Sequence, residues 1–229
     1  MLDLNKETVK VTRLPLRFAL SLTNLVVMIN FITTAHAVDF TVYTDKSAFL
    51  AALSPGYYTE TFNTLAVNTL LSSPIVLNSG PNQFQASTGS GDFYNSSNGS
   101  DVWLSTDARS DSVNFSAFAN NPTAIGGYFF LTNSIGSPNT GTINANLNSG
   151  AATSSITTAS STNFIGFVST NNTPLSSLLL TTSATTWWVT ANDVIVGNAL
   201  PVPEPSTYIL ALIASGVMIK LCRNRSKQV

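Results

Sequence analysis

At 229 residues the chain has room for one large domain or two small ones. Apolar residues make up 44% and charged residues only 9%, well below the roughly 25% charged of an ordinary soluble domain, yet no run of about 18 apolar residues marks a long membrane span. Ser, Thr and Asn take up the difference, and because they hydrogen-bond their own backbone they disfavour a helix-rich fold and favour turns and strands.

The chain opens with an address. Lys6, Lys10, Arg13 and Arg17 precede an apolar run from Phe18 to Ile32, followed by the small-x-small step Ala35-His36-Ala37. A basic start, an apolar run and a small-residue step define a secretory signal over residues 1–37, cut by signal peptidase so that the mature chain begins at Val38. Asn24 and Asn30 interrupt the run and argue against an uncleaved anchor.

Next, Thr44-Asp45-Lys46-Ser47 leading into Ala48–Leu53 predicts one short helix, capped by Thr44 or Asp45 and stopped at Pro55-Gly56. Phe49, Leu50 and Leu53 form its apolar face. Beyond it, short β-type runs alternate with Gly, Asn, Ser and Pro. Strands are predicted near 39–43, 58–63, 74–78, 83–87, 101–105, 112–118, 124–132, 140–147, 153–158, 163–169, 175–182, 186–190 and 193–197. Residues 124–132 are almost continuously apolar, as in a central strand covered on both faces, and Gly126-Gly127 marks a bulge or a close approach of backbones. The expected fold is mainly β: a jelly-roll-like β-sandwich over residues 38–198 with one short N-terminal helix. A signal peptide and a single C-terminal transmembrane helix flank it.

A Pro-containing linker with a Pro-Glu-Pro motif follows over residues 199–206. Then come the apolar stretch Tyr208–Ile219 and the basic tail Lys220, Arg223, Arg225 and Lys227, the whole end spanning 207–229. Twelve apolar residues make a helix of only about 18 Å, so the span is completed through Leu221 and Cys222 with Lys220 snorkelling. The basic anchor Arg223, Arg225 and Lys227 keeps this end in the cytoplasm, so everything between the two ends lies outside the inner membrane. In its order and spacing, Val202, Pro203, Glu204, Pro205 and Ser206, then one apolar helix, then terminal arginines, this end resembles the PEP-CTERM sorting signal. The resemblance implies handling by an exosortase, a membrane-embedded protease or transpeptidase with a Cys nucleophile, in Gram-negative bacteria that make exopolysaccharide. The Gly-Gly-Tyr-Phe-Phe, Phe-Ile-Gly-Phe and Ala191–Gly197 segments are similar to domains commonly attached to that signal, mostly of unassigned function.

Removing both ends changes the chemistry. Residues 38–205 hold two cations, Lys46 and Arg109, against nine anions, a net charge of −7. Nucleic acid and anionic lipid are excluded as partners, since no basic patch meets phosphate. The sole histidine, His36, falls in the signal and the sole cysteine, Cys222, in the tail. Disulfides within the mature domain, His- or Cys-based metal and haem sites, and Ser-His-Asp or Cys-His catalysis are therefore excluded. What stays open is a carboxylate pair, or an oxygen-only Ca²⁺ site in a protein otherwise expected to need no cofactor.

Four places could carry such chemistry. Gly89–Asp111 gathers Asp92, Asp101, Asp107 and Asp111 among Gly, Ser and Asn, either as solvated loop acids or as a Ca²⁺ loop of neither EF-hand nor RTX spacing. Glu60 and Asp193, near the first and last strands, form a second candidate pair for Ca²⁺. Trp187 and Trp188 are adjacent in a predicted strand, so their rings point to opposite faces, one to the core and the other free to stack on a sugar. Trp103 and Tyr57-Tyr58 pose the same choice. Asn95, Asn98, Asn114 and Asn171 stand in glycosylation sequons. Nothing in the spacing selects an acid and a nucleophile, so the sequence favours an exported, non-enzymatic surface or matrix protein, structural or adhesive in exopolysaccharide. Its alternative is a lectin-like carbohydrate-binding module.

Overall fold

The computed structural model describes residues 39–201 apart from 79, 98 and 159. The expected signal segment with Ala35, Ala37 and Val38, the Val202–Ser206 motif, the C-terminal apolar stretch and the expected basic anchor Arg223, Arg225 and Lys227 lie outside the described residues.

The strands in chain order are β1 (Phe40–Tyr43), β2 (Tyr58–Glu60), β3 (Leu70–Leu71), β4 (Ile75–Leu77), β5 (Phe84–Thr88), β6 (Phe93–Ser97), β7 (Val102–Thr106) and β8 (Val113–Ser116). After them come β9 (Ala124–Thr132), β10 (Pro138–Asn139), β11 (Gly141–Leu147), β12 (Ala152–Thr158), β13 (Phe164–Ser169), β14 (Ser177–Thr182) and β15 (Trp188–Gly197). One α-helix, α1 (Lys46–Ala51), sits between β1 and β2; the Asp45 carboxylate caps it by accepting from the Ala48 N–H at 2.7 Å.

All the pairing is antiparallel and forms two sheets. The larger, of nine strands, runs β1-β13-β9-β15-β7-β6-β3, with β10 added to β9 and β2 to β15; the smaller, of six, runs β12-β11-β14-β8-β5-β4. Alternation explains how they stack. Along β11, Ile143, Ala145 and Leu147 are buried while Thr142, Asn144 and Asn146 are not, the period-2 signature of a strand with one wet face. The buried set joins Phe84, Phe115 and Leu180 of the small sheet to Phe129, Leu131, Phe167 and Val189 of the large one in a single apolar core. Phe115 and Phe129 meet across the two sheets at 6.3 Å between ring centres. The result is a β-sandwich.

The large sheet is also covered on part of its outer face. There α1 lays Phe49 onto Ala124, Phe164, Val168 and Ile195. Gly166 makes room for it: a Cβ there would fall 2.3 Å from the Phe49 ring.

Two predicted strands, 186–190 and 193–197, are one. Asn192-Asp193 reads as a break because both residues favour turns, but β15 absorbs them in a bulge. Asn192 pairs with Tyr128 and Ile195 with Gly126, so Asp193 and Val194 share the space opposite Gly127, and Asp193 adopts a φ of 47°. The Gly126-Gly127 pair thus answers both a bulge, on the partner strand, and a close approach, a Cβ at Gly126 coming 3.0 Å from the Gly166 Cα. The acidic stretch Gly89–Asp111, with one strand expected at 101–105, contains two, β6 as well as β7.

Candidate functional site

The outer face of the large sheet is open at the end away from α1. Cross-strand partners share a face, so Trp188 opposite Thr132, Thr190 opposite both Phe130 and Ser105, and Ser105 opposite Tyr94 lie side by side there. Three hydroxyls from three adjacent strands form its floor. Thr190 Oγ1 lies 2.5 Å from Ser105 Oγ and 2.8 Å from Thr132 Oγ1. A threonine on a central strand usually costs stability through its buried hydroxyl; here each hydroxyl satisfies another.

Two turns wall the floor. On one side, the turn after β9 is held by Asn133, whose side-chain oxygen accepts from the Ile135 and Ser137 N–H groups at 3.0 Å each. That turn reaches β6: Gly136 has a φ of +77°, and a Cβ on it would run into the Ser96 hydroxyl. On the other side, the turn after β7 grips both tryptophans. The Ser110 N–H donates to the Trp187 carbonyl at 2.9 Å, and the Trp188 indole N–H donates to the Asp107 carbonyl at 2.8 Å. The Arg109 guanidinium stands 5.0 Å from the centre of the Trp188 ring.

Between these walls lies a groove of about 190 Å³ lined by Tyr94, Trp188, Ser96, Ser105, Thr132 and Asp107, with Thr106, Asn133, Ser134 and Gly136 at its margins. It offers two aromatic rings, a set of hydroxyls and amides, and one carboxylate. Such a surface can stack on an apolar ring face and exchange hydrogen bonds with hydroxyls. Among its lining residues there is no second acid to pair with Asp107 as in hydrolases that use two carboxylates.

The other sequence candidates have specific places. Trp187 packs against the main core while Trp188 faces the groove, as neighbours on opposite faces must. Trp103 is buried edge-on against Phe130 at 5.0 Å, and Tyr57 is exposed. Glu60 is buried and accepts from the Tyr58 hydroxyl at 2.7 Å and the Phe62 N–H at 2.8 Å. Burial and this carboxylate push the Tyr58 phenol up to about 12. Asp193 pairs instead with Lys46 at 2.8 Å, and Lys46 also stands over the Tyr128 ring. Burial pulls the Lys46 ammonium down, but its bond to Asp193, with Tyr128 beside it, leaves it above its ordinary value. Glu60 lies opposite Val194, next to Asp193 in the chain, yet the two carboxylates serve different partners.

Three of the four loop acids hold local partners with their carboxylates. Asp111 accepts from four backbone N–H groups, those of Gly89, Ser90 and Gly91 at 3.0–3.1 Å and of Ser112 at 2.8 Å. Asp92 accepts from the Ser73 N–H, and Asp101 from the Asn192 amide at 2.6 Å. Asp107 lends its carbonyl to Trp188. Among the described residues no three His, Cys, Asp or Glu side chains gather closely enough to hold a metal ion. Of the sequons, Asn95 is fully buried and donates to the Ala66 carbonyl, whereas Asn171 is exposed and donates to Asp39.

No family model and no curated protein matches this chain. Among solved structures it is similar to the CsCBM6-3 module of Clostridium stercorarium in complex with cellobiose, at 13% identity and a TM-score of 0.30, over 58% of this chain and all of that one. A likeness that loose carries no argument about the site.

Proposed function

We propose that this chain is an exported surface module that binds polysaccharide through the Trp188–Tyr94 groove and has a structural or adhesive role, without catalysis, in the extracellular matrix. In this reading the leader is removed by signal peptidase, and exosortase processes the Val202–Ser206 motif at the inner membrane. The chain's alternation between sheets, with β7 and β9 in one and β8 in the other, and again β13 and β15 against β14, is read as a jelly roll.

One observation carries the binding reading: an indole held by its own N–H at the edge of a hydroxyl-floored groove, with a second ring beside it. At about 190 Å³ the groove is smaller than the ~300–1,000 Å³ of sites for drug-sized ligands, a scale suited to one sugar unit of a longer chain. Asp107 at the rim supplies acceptors for sugar hydroxyls.

The test is a glycan array with the full chain, followed by titration of the best binder with tryptophan fluorescence as readout. Trp188→Ala and Tyr94→Ala each lower affinity by about tenfold or more, the scale of one lost stacking contact, while Tyr57→Ala, far from the groove floor, changes nothing. A chelator leaves both affinity and melting temperature unchanged. Unaltered binding by Trp188→Ala defeats the assignment of the groove. Intact-mass measurement of secreted protein checks the address: termini at Val38 and near Glu204 support the two processing steps, and an intact C-terminus refutes exosortase cleavage.

A further inference from the structure

Charge is sparse on the strands of this sandwich: those of the large sheet carry two charged side chains, Glu60 and Asp193. The described charged side chains, Asp39, Asp45, Lys46, Glu60, Asp92, Asp101, Asp107, Arg109, Asp111 and Asp193, all belong to the large sheet, the helix or the loops. The six strands of the small sheet contain none. Charged residues keep a surface hydrated and discourage adhesion, and the strands that build this face supply none.

Its outward residues form registered rows. Ser87, Asn114, Leu179, Asn146 and Thr153 stand directly opposite one another across five strands. Ser155, Asn144 and Thr181 form the next row, with the Ser155 hydroxyl donating to the Asn144 amide oxygen at 2.7 Å. Strand spacing sets neighbours in a row about 4.8 Å apart and rows about 7 Å apart. Every hydroxyl and amide in this lattice can both donate and accept.

We infer that this outward face is a second binding surface, separate from the groove, and that its occupant is a neutral polyhydroxyl polymer laid flat across the strands. Charge complementarity selects that occupant. An acidic polymer would find no cation here, and a protein bearing ordinary surface charges would have to desolvate them against groups of no charge. A second copy of the chain would bury little apolar area, since Leu179 and the exposed edge residue Val76 are the two apolar side chains this face turns outward, and stable protein interfaces need an apolar centre. A neutral polysaccharide brings hydroxyls that match the lattice and C–H faces that rest on threonine methyls. Surfaces on opposite sides of one sandwich would let a single module bridge two polymer strands.

The experiment is co-sedimentation of the full chain with cellulose, an insoluble neutral glucan, and with insoluble calcium alginate as the acidic control. It is run in the Trp188→Ala/Tyr94→Ala background, in which the groove has lost both of its rings. Protein is expected to pellet with cellulose and not with alginate, and Asn146→Lys with Thr153→Lys lowers the bound fraction at least about fivefold, the scale of one or two lost hydrogen bonds. Circular dichroism confirms that the double variant is folded; if it is not, Ser155→Glu on the edge strand tests the same face with one exposed change. Three results overturn the proposal: undiminished pelleting by the lysine variant, equal pelleting with alginate, or a concentration-dependent dimer that the same substitutions abolish. Loss of the groove reading leaves this result unaffected, because both rings are absent throughout.

Discussion

The two ends of the large sheet's outer face are built on the same strands and serve opposite ends. Toward the C-terminal half of β15, small residues line the face (Ala124, Gly126, Gly166), and the Phe49 ring of α1 sinks among them until nothing is exposed. Toward its N-terminal half the face carries Thr132, Thr190, Ser105 and Trp188, and Thr132, Ser105 and Trp188 line the groove there. A strand run does not dictate whether its face is sealed or open. That choice is made by side-chain size where a cover exists, and by hydroxyls that satisfy one another where it does not.

Four changes test that division, in descending order of effect. Phe49→Ala should cost about 3–5 kcal/mol by leaving a cavity under the helix, measured by urea unfolding, while the groove's sugar affinity stays unchanged in the surviving folded protein. A parallel loss of affinity would show that the two ends are not independent. Gly166→Ala should cost about 1–3 kcal/mol, because its Cβ meets the same ring from the other side. At the open end, Thr190→Val strips the hydroxyl shared by Ser105 and Thr132, for about 1–2 kcal/mol together with weakened sugar binding. Lys46→Met should cost under about 1 kcal/mol, since the Lys46–Asp193 pair is partly solvated.

Alkali sharpens the same contrast. Lys46 and Tyr58 both hold their protons more tightly in the folded state, so their contributions are complete below the ordinary values of 10.5 and 10.0. They fade as pH rises, that of Tyr58 through about 12. Melting temperature should therefore fall above pH 10, and less steeply in Tyr58→Phe. An equal slope in the variant would remove Tyr58 from the account.

The fold was legible where one residue type decides it. The strands at β11 and β14, the apolar run of β9 and a helix cap at Thr44 or Asp45 all read from the chain, because strand composition and a capping side chain are local facts, and the structure settles the cap on Asp45. Strand β6 was hidden because Phe93-Tyr94-Asn95-Ser96-Ser97 sits in a Gly/Ser/Asn-rich stretch and buries Asn95 beside Phe93, so composition spoke for a loop. The site was half legible. The Trp187-Trp188 pair stands out, one ring for the core and one for the outer face, and which is which came from register. Tyr94, Ser105, Thr132 and Thr190 were invisible, since single hydroxyls 11 to 96 positions from Tyr94 come together only through register. Glu60 and Asp193 lie on paired strands, β2 and β15, but each carboxylate takes a different partner, which depends on the bulge and on α1.

Strand β15 begins at the groove with Trp188 and ends at Gly197, four residues before Pro201, the last described residue. At about 3.3 Å per residue it is a cable roughly 30 Å long. If a bound polymer tugs on the indole while the C-terminal side is tethered, the tension runs down this one strand, flanked by β9 along most of its length and by β7 and β2 on the other side. Those ladders would be loaded in shear, all bonds at once, rather than peeled one by one, a layout suited to a module that must hold fast under pull.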